Sequence, residues 1–155
     1  MDDTRRSTLK GVWAVGALAS AVAAGLLSPG RAFAAWNKSA FEAKSTVEAM
    51  KALGVANAEE SKAIEIHAPD IAENGAVVPV DITSSIPGTT AISVFIDKNP
   101  FPYTGTFDVS HGALPYGQMR VKIGESSAVR VVVAAGGRHY TTAKEVKVTI
   151  GGCGG

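Results

Sequence analysis

The residue with the clearest chemical potential is Cys153, the only cysteine in a chain of 155 residues. With no second cysteine it cannot form an intramolecular disulfide. Glycine reaches backbone conformations that are closed to other residues, and two glycines lie on each side of the thiol, Gly151, Gly152, Gly154 and Gly155. The pattern predicts a flexible C-terminal arm, residues 151–155, with a reach of roughly 16 Å at about 3.3 Å per residue.

The surroundings of Cys153 in the sequence predict a thiol that other proteins act on. The thiolate is the reactive form of cysteine, and its reference pKa is about 8.5. The nearby C-terminal carboxylate disfavours the thiolate, and a mobile tail is a poor place to preorganise catalytic groups. An incidental surface thiol and a thiol peroxidase are the weaker alternatives, the second because the chain has no resolving cysteine. We therefore expect no catalytic residue in this chain.

No metal or cofactor site is expected from the residue pattern. The three histidines, His67, His111 and His139, are far apart and share no ligand-spaced motif with Cys153. The pairs Gly136-Gly137 and Gly151-Gly152 lack the following helix that would bind a phosphate.

The charge balance argues against nucleic-acid binding. The formal net charge is +1, from 15 lysines and arginines against 14 acidic residues. Without the first 34 residues, which hold four cations and two anions, 11 cations face 12 anions. A nucleic-acid-binding surface needs clustered basic residues, and none is present in the pattern.

The N-terminal 34 residues have the composition of an export signal. Arg5-Arg6, followed by Leu9 and Lys10, resembles a twin-arginine motif. An apolar run over 11–27 and an Ala-x-Ala pattern ending at Ala34 follow it. We predict a twin-arginine signal peptide, residues 1–34, cleaved between Ala34 and Ala35, and a periplasmic mature chain. The apolar run falls short of the roughly 20 residues of a membrane span, so no membrane anchor is expected in the mature form.

The residues that follow predict one amphipathic helix in a short N-terminal segment, 35–54. Ser39 and Glu42 fit a capping box, apolar residues follow at helical spacing, and Gly54 is placed as a C-terminal stop. The predicted helix covers about residues 40–53. Its apolar stripe is expected to cover a sheet end or a partner.

Beyond residue 55 the hydrophobic period changes to two, which is typical of strands. About seven short strands are predicted, over 64–67, 78–82, 92–96, 104–109, 119–123, 127–134 and 139–150. Pro79 cannot donate to a ladder, so its strand is expected at an edge or with a bulge. Glu59-Glu60 is read as a solvated turn and Asn99–Tyr103 as a loop. The pattern predicts a mainly β domain, residues 55–150, folded as an immunoglobulin-like antiparallel β-sandwich whose last strand anchors the arm.

Several of these segments together resemble a known family. They are the twin-arginine pair, residues 71–80, Asn99-Pro100 and, above all, residues 146–155 with their terminal GGCGG. The chain resembles the SoxY family, the sulfur-carrier subunit of the bacterial Sox thiosulfate-oxidising system. The resemblance covers nearly the whole mature chain.

The resemblance implies an immunoglobulin-like sandwich with an N-terminal helical segment, working as a heterodimer with SoxZ. It implies that Cys153 carries the substrate covalently. A haem enzyme, SoxAX, would couple thiosulfate to the thiol, and a hydrolase, SoxB, would release sulfate. In complete systems a sulfur dehydrogenase, SoxCD, would oxidise the remaining sulfane. The carrier needs no cofactor of its own.

A second hypothesis is an exported assembly module whose thiol forms an intermolecular disulfide. It predicts a reducible Cys153 dimer as the working state, without sulfur adducts, although a carrier could also form such a dimer as a side product. The strand order, the surface that binds the partner subunit, the dominant sulfur intermediate and the presence of a sulfane dehydrogenase stay open at this point.

Overall fold

The computed structural model describes residues 37–149 as two short helices and nine strands. The helices are α1 (Lys38–Glu42) and α2 (Thr46–Ala52). The strands are β1 (Glu59–Glu60), β2 (Ile64–His67), β3 (Ile71–Ala72), β4 (Val78–Ser84), β5 (Thr89–Ile96), β6 (Tyr103–Asp108), β7 (Tyr116–Val121), β8 (Ser127–Ala135) and β9 (Arg138–Val148). The predicted signal peptide, its cleavage point at Ala34 and Ala35, and the arm 151–155 lie outside the described residues. Within residues 37–149 no helix is long and apolar enough to cross a membrane.

The strands form two sheets. One has the order β1-β9-β8-β5-β6, with β3 also paired to β9, and the other has the order β2-β4-β7. All pairings are antiparallel except those of the two-residue strands β1 and β3, which run parallel to β9. The predicted mainly β fold is confirmed, and a wholly antiparallel arrangement is corrected at these two short pairings. The immunoglobulin-like connectivity stays a prediction.

The main core lies between the two sheets and follows from the alternation in the sequence. Every second side chain of β4, β5 and β8 is fully buried in one hydrophobic cluster: Val78, Val80, Ile82, Ile92, Val94, Ile96, Val129, Val131 and Val133. β-Branched residues pack well on a pleated surface. Burying each such side chain contributes roughly 1.5–3 kcal/mol.

The helices cover the outer face of the larger sheet. Phe95 and Val132, which point away from the main core, are buried in a second cluster with Ala40 and Ala49. The ring of Tyr103 lies 4.5 Å from that of Phe41 and 5.5 Å from that of Phe95, between centroids. Most of the apolar stripe thus covers a sheet face and not a sheet end, whereas Val47 of the same stripe is 60% exposed.

The prediction of one helix over 40–53 is wrong. Ala43, at the end of α1, has an extended backbone with ψ 137°, which separates the two helices. The pattern Ser-x-x-Glu occurs twice, at 39–42 and 45–48, and the structure uses the second. Ser45 Oγ accepts from Glu48 N at 3.2 Å, and Glu48 Oε2 accepts from Lys44 N at 3.1 Å. The cap of α1 is Asn37, whose side chain accepts from Ala40 N.

All seven predicted strands are present, with changes at their ends. Strand β6 begins at Tyr103, a residue predicted to be in a loop, and β9 ends at Val148 instead of residue 150. The pair Glu59-Glu60 is a strand and not a turn, because it pairs with β9. Its Glu59 forms an ion pair with Arg138.

Neither an edge position nor a bulge is found at Pro79: β4 is the central strand of its sheet, and its pairings show no register shift. The pairing of β2 with β4 reaches only as far as His67 and Asp81. Pro79 is paired with Arg120 of β7 and has no β2 neighbour. A proline is tolerated there because β2 does not need its missing N–H.

Candidate functional site

The predicted site residue Cys153 and its flanking glycines, Gly151, Gly152, Gly154 and Gly155, lie outside the described residues. The structure describes the chain that leads to them, up to Thr149. We call Val146–Thr149 the arm root. What the structure adds is how this segment is held, four residues before the thiol.

Strand β3 holds the arm root on one side. Ile71 pairs with Lys147 and Ala72 with Val148. Lys147 N donates to Asp70 O at 2.9 Å, and Thr149 N donates to Ala72 O at 3.2 Å. The ladder therefore continues one residue past the end of β9.

The turn between β7 and β8, residues 122–126, holds the other side. The pairing of β8 with β9 extends only to Ser127 and Val146. The amide of Val148, two residues further along β9, therefore has no backbone acceptor in β8. The Ser126 hydroxyl takes that place, because Val148 N donates to Ser126 Oγ at 2.9 Å. A side chain thus completes the ladder where the backbone of β8 turns away.

Gly75 packs directly against the arm root. A Cβ atom at this position would lie 2.4 Å from the Ile123 carbonyl oxygen and 2.8 Å from Val148 Cγ1. Ile123 N also donates to Gly75 O at 2.7 Å. Only glycine allows these two backbone segments and the Val148 side chain to approach so closely.

Asn99 holds the same turn from a third direction. Its Nδ2 donates to Lys122 O at 2.7 Å, and its Oδ1 accepts from Gly124 N at 3.2 Å. Both polar atoms of the amide are used on one turn, and that turn carries the Ser126 hydroxyl. Asn99 is therefore linked to the arm root through two consecutive hydrogen-bonding steps.

Two of the segments that carry the family resemblance thus help to hold the arm root, residues 71–80 directly and Asn99 through the turn 122–126. No role in the site was predicted for these residues from the sequence. The available signal was their place in the resemblance, since spacing does not show that residues 22 to 77 positions from the arm root contact it. These residues supply position, and none of the described groups with a shifted pKa, Asp108, Tyr116 and Arg138, belongs to the arm root.

Two large apolar side chains are exposed beside the arm root. Ile71 is 58% exposed and Val77 is 53% exposed. Ile71 lies next to Lys147 in the parallel pairing, and Val77 precedes Val78, which is paired with the last residue of β7. Both residues therefore belong to the end of the sandwich from which the arm leaves.

The three histidines lie on separate elements. His67 is in β2, 3.5 Å from Glu65, His111 is in the loop after β6, and His139 is in β9. Among residues 37–149 no group of three or more histidine, cysteine or acidic side chains is arranged to hold a metal ion.

The family model for SoxY, sulfur oxidation protein SoxY, matches residues 49–153, a span that includes Cys153. A solved structure of the sulfur carrier protein SoxY from Chlorobium limicola f thiosulfatophilum is 42% identical, with a TM-score of 0.60, and the match covers 67% of this chain and 96% of that chain. A structure of the bacterial superantigen toxic shock syndrome toxin-1 matches at 12% identity and a TM-score of 0.42, covering 56% of this chain and 98% of that one. The second likeness is too low to carry an argument. No curated protein sequence matches the chain.

Proposed function

Because the chain belongs to the SoxY family of sulfur oxidation proteins, we propose that it carries sulfur covalently on Cys153. The observation that carries this proposal is that the family match runs to residue 153, the single thiol of the chain. The fixed arm root supports it, because a carrier must present its thiol from a defined point. The 42% identity to a sulfur carrier from Chlorobium supports it as well.

The loading step joins the Cys153 sulfur to the outer sulfur of thiosulfate. The thiol loses its proton, a sulfur–sulfur bond forms, and two electrons pass to the haem enzyme SoxAX. The product is a cysteine S-thiosulfonate. In the next step SoxB adds water across the bond between the sulfane and the sulfonate. Sulfate leaves as hydrogen sulfate, and a persulfide stays on Cys153.

Catalysis in this scheme belongs to the partner enzymes. The groups that hold the arm root are backbone amides, the Ser126 hydroxyl and, through the turn, the Asn99 amide, and each is hydrogen-bonded within the chain. Such groups fix geometry and do not transfer protons at a thiol four residues away. The role of this chain is therefore to hold the sulfur and to present it.

We further propose the setting of this carrier from the sequence. The twin-arginine signal supports export of a folded chain to the periplasm, where the mature protein works as a heterodimer with a SoxZ-like subunit. SoxAX and SoxB act on it transiently, and so does SoxCD where a complete system is present.

The test is intact-mass and peptide-mass measurement after incubation of the mature protein with thiosulfate and the haem oxidase. We expect the thiosulfonate adduct on the C-terminal peptide, and none in Cys153→Ser. A matched control places the thiol elsewhere, with Leu114→Cys added to Cys153→Ser. Leu114 is 80% exposed, so this thiol is accessible but is not on the arm, and it should stay unloaded.

Three outcomes would overturn the proposal. One is no adduct on the natural chain, and another is an equal adduct after Cys153→Ser. The third is a reducible Cys153 dimer as the working state without any adduct, which would establish the assembly module in its place.

A further inference from the structure

The position of Cys153 limits how far an enzyme can stand from the sandwich. The thiol is four residues beyond Thr149, and four fully extended residues span at most about 14 Å. Thr149 is held by its hydrogen bond to Ala72, so the arm is anchored at that residue. An enzyme that encloses Cys153 in its active site must therefore bring its surface against the arm-root end.

On this basis we infer that enzymes acting on Cys153 dock on the surface around the arm root, with Ile71 and Val77 as apolar contacts. The inference rests on the proposed carrier function and adds the surface through which the carrier is recognised. The partner is an enzyme whose active-site entrance has an apolar rim.

Both side chains are exposed on backbone that is already fixed. Ile71 belongs to the β3 pairing with β9. The N–H of Val77 is 3.4 Å from the carbonyl oxygen of Asn74, whose side chain also accepts from Ala76 N at 2.9 Å. Docking on such positions costs little backbone ordering, which favours affinity from a small contact.

Charged residues of both signs surround this apolar pair. The exposed neighbours in the chain and next to the paired residues are Asp70, Glu73, Lys122 and Lys147. An apolar centre with a polar rim is the usual composition of a protein interface. The mixed signs indicate that recognition depends more on the apolar contact than on long-range attraction.

The same geometry argues against a permanent occupant. A subunit that permanently covered Ile71 and Val77 would lie close to the arm root, within the reach of Cys153. It would hinder the approach of each enzyme that acts on the thiol. A transient partner leaves the surface open between reactions. The partner subunit is therefore expected on another face.

The experiment uses the mature protein with its natural partner subunit, and measures kcat/KM for enzymatic loading of Cys153 with thiosulfate. We expect Ile71→Asp combined with Val77→Asp to lower kcat/KM by about tenfold or more, since apolar contacts at interface centres contribute at this scale. Leu114→Asp is the matched control, because Leu114 is exposed at the opposite end of the sandwich, and it should stay within about twofold. Alkylation of Cys153 by a small thiol reagent should be equally fast in all variants.

A second pair of variants guards against misfolding. Ile71→Thr with Val77→Thr keeps β-branched side chains that suit extended backbone and should lower kcat/KM in the same direction by a smaller factor. Thermal unfolding midpoints should match that of the natural chain.

The possible failures are distinguishable. If the aspartate variants are loaded as fast as the natural chain, the docking surface is wrong and the proposed carrier function stands. Loss of the partner subunit from the aspartate variants overturns it as well, by assigning the surface to that subunit. Absence of any adduct on the natural chain overturns the proposed function, and the docking surface falls with it.

Discussion

At the arm-root end of the sandwich, hydrogen bonds join residues that are far apart in the sequence, such as Val148 and Ser126 or Asn99 and Lys122. At the opposite end, which we call the far end, the loop after β6 is held largely within itself. There the Asp108 carboxylate accepts from the backbone and the hydroxyl of Ser110. Two longer contacts, Val109 to Thr90 and Ser84 to Pro115, fix only the two ends of that loop.

The glycines also differ between the two ends: those of the far end serve a local turn, and Gly75 serves a contact between distant segments. Gly136 and Gly137, in the far-end hairpin, have φ of 57° and 76° and open space around them. They are needed for the shape of a turn. Gly75 has no positive φ and is needed because Ile123 and Val148 lie against it.

The difference shows what each end must do. The far end only has to reverse the chain direction, and local bonds are enough for that. In the proposed carrier function, the arm root has to stay in place while partner enzymes act on Cys153. Hydrogen bonds to the β3 segment and to Ser126, together with the close packing of Gly75, hold it in place.

The largest expected effect comes from Gly75→Ala. The new Cβ atom would meet a backbone carbonyl and Val148 at distances that force a shift. Overpacking of this kind costs about 1–3 kcal/mol of unfolding free energy. Urea denaturation of the mature protein measures the loss.

The matched control for this variant is Gly105→Ala in β6, where a Cβ atom meets nothing within 4 Å and φ is not positive. It should be neutral or stabilising, by up to about 1 kcal/mol. Equal losses in the two variants would show that close packing at Gly75 is not what distinguishes the arm root.

A smaller effect is expected from Ser126→Ala. It leaves the Val148 amide without its acceptor, which should cost about 1 kcal/mol in unfolding free energy. Hydrogen exchange at Val148 should become faster, while exchange in the centre of β9 stays slow. The control is Ser110→Ala in the exposed far-end loop, expected to stay within about 0.5 kcal/mol. A larger loss of unfolding free energy for Ser110→Ala than for Ser126→Ala, or unchanged exchange at Val148, would contradict a special role of Ser126 in holding the arm root.

The smallest effect concerns the pH dependence of the far end. Hydrogen bonds from Ser110, first from its side chain and then from its backbone, lower the pKa of Asp108 below its ordinary value. The folded state thus favours the charged carboxylate. Its stabilisation is present above the ordinary pKa and is lost as the pH falls through the lowered one.

Thermal unfolding of the natural chain and of Asp108→Asn, followed from neutral to acidic pH, measures this contribution. The difference between the two midpoints should shrink as the pH falls. A difference that is constant, or that grows towards acidic pH, would mean that the carboxylate does not stabilise the loop.

Predictions from the sequence succeeded where a repeated local pattern carried the information. The alternation of apolar residues located β4, β5 and β8, because a half-buried or buried strand repeats every two residues. It failed for β1 and β3, since two residues show no period. The helix was misplaced because two capping boxes compete, and packing of Ala40 and Ala49 on the sheet selected the break between them.

The candidate site likewise has features that follow from a local pattern and features that depend on tertiary packing. The single thiol, its glycine neighbours and the strand before them could be predicted from the sequence, because they are properties of composition or of near neighbours. The packing of distant segments brings β3, Gly75 and Ser126 to Val148, and it places Asn99 on the turn that carries Ser126. It also decided that Ile71 stays exposed while Ala72 beside it is buried. Alternation assigns two faces to a strand, but which face is covered depends on the segments that pack there, and those come from distant parts of the chain.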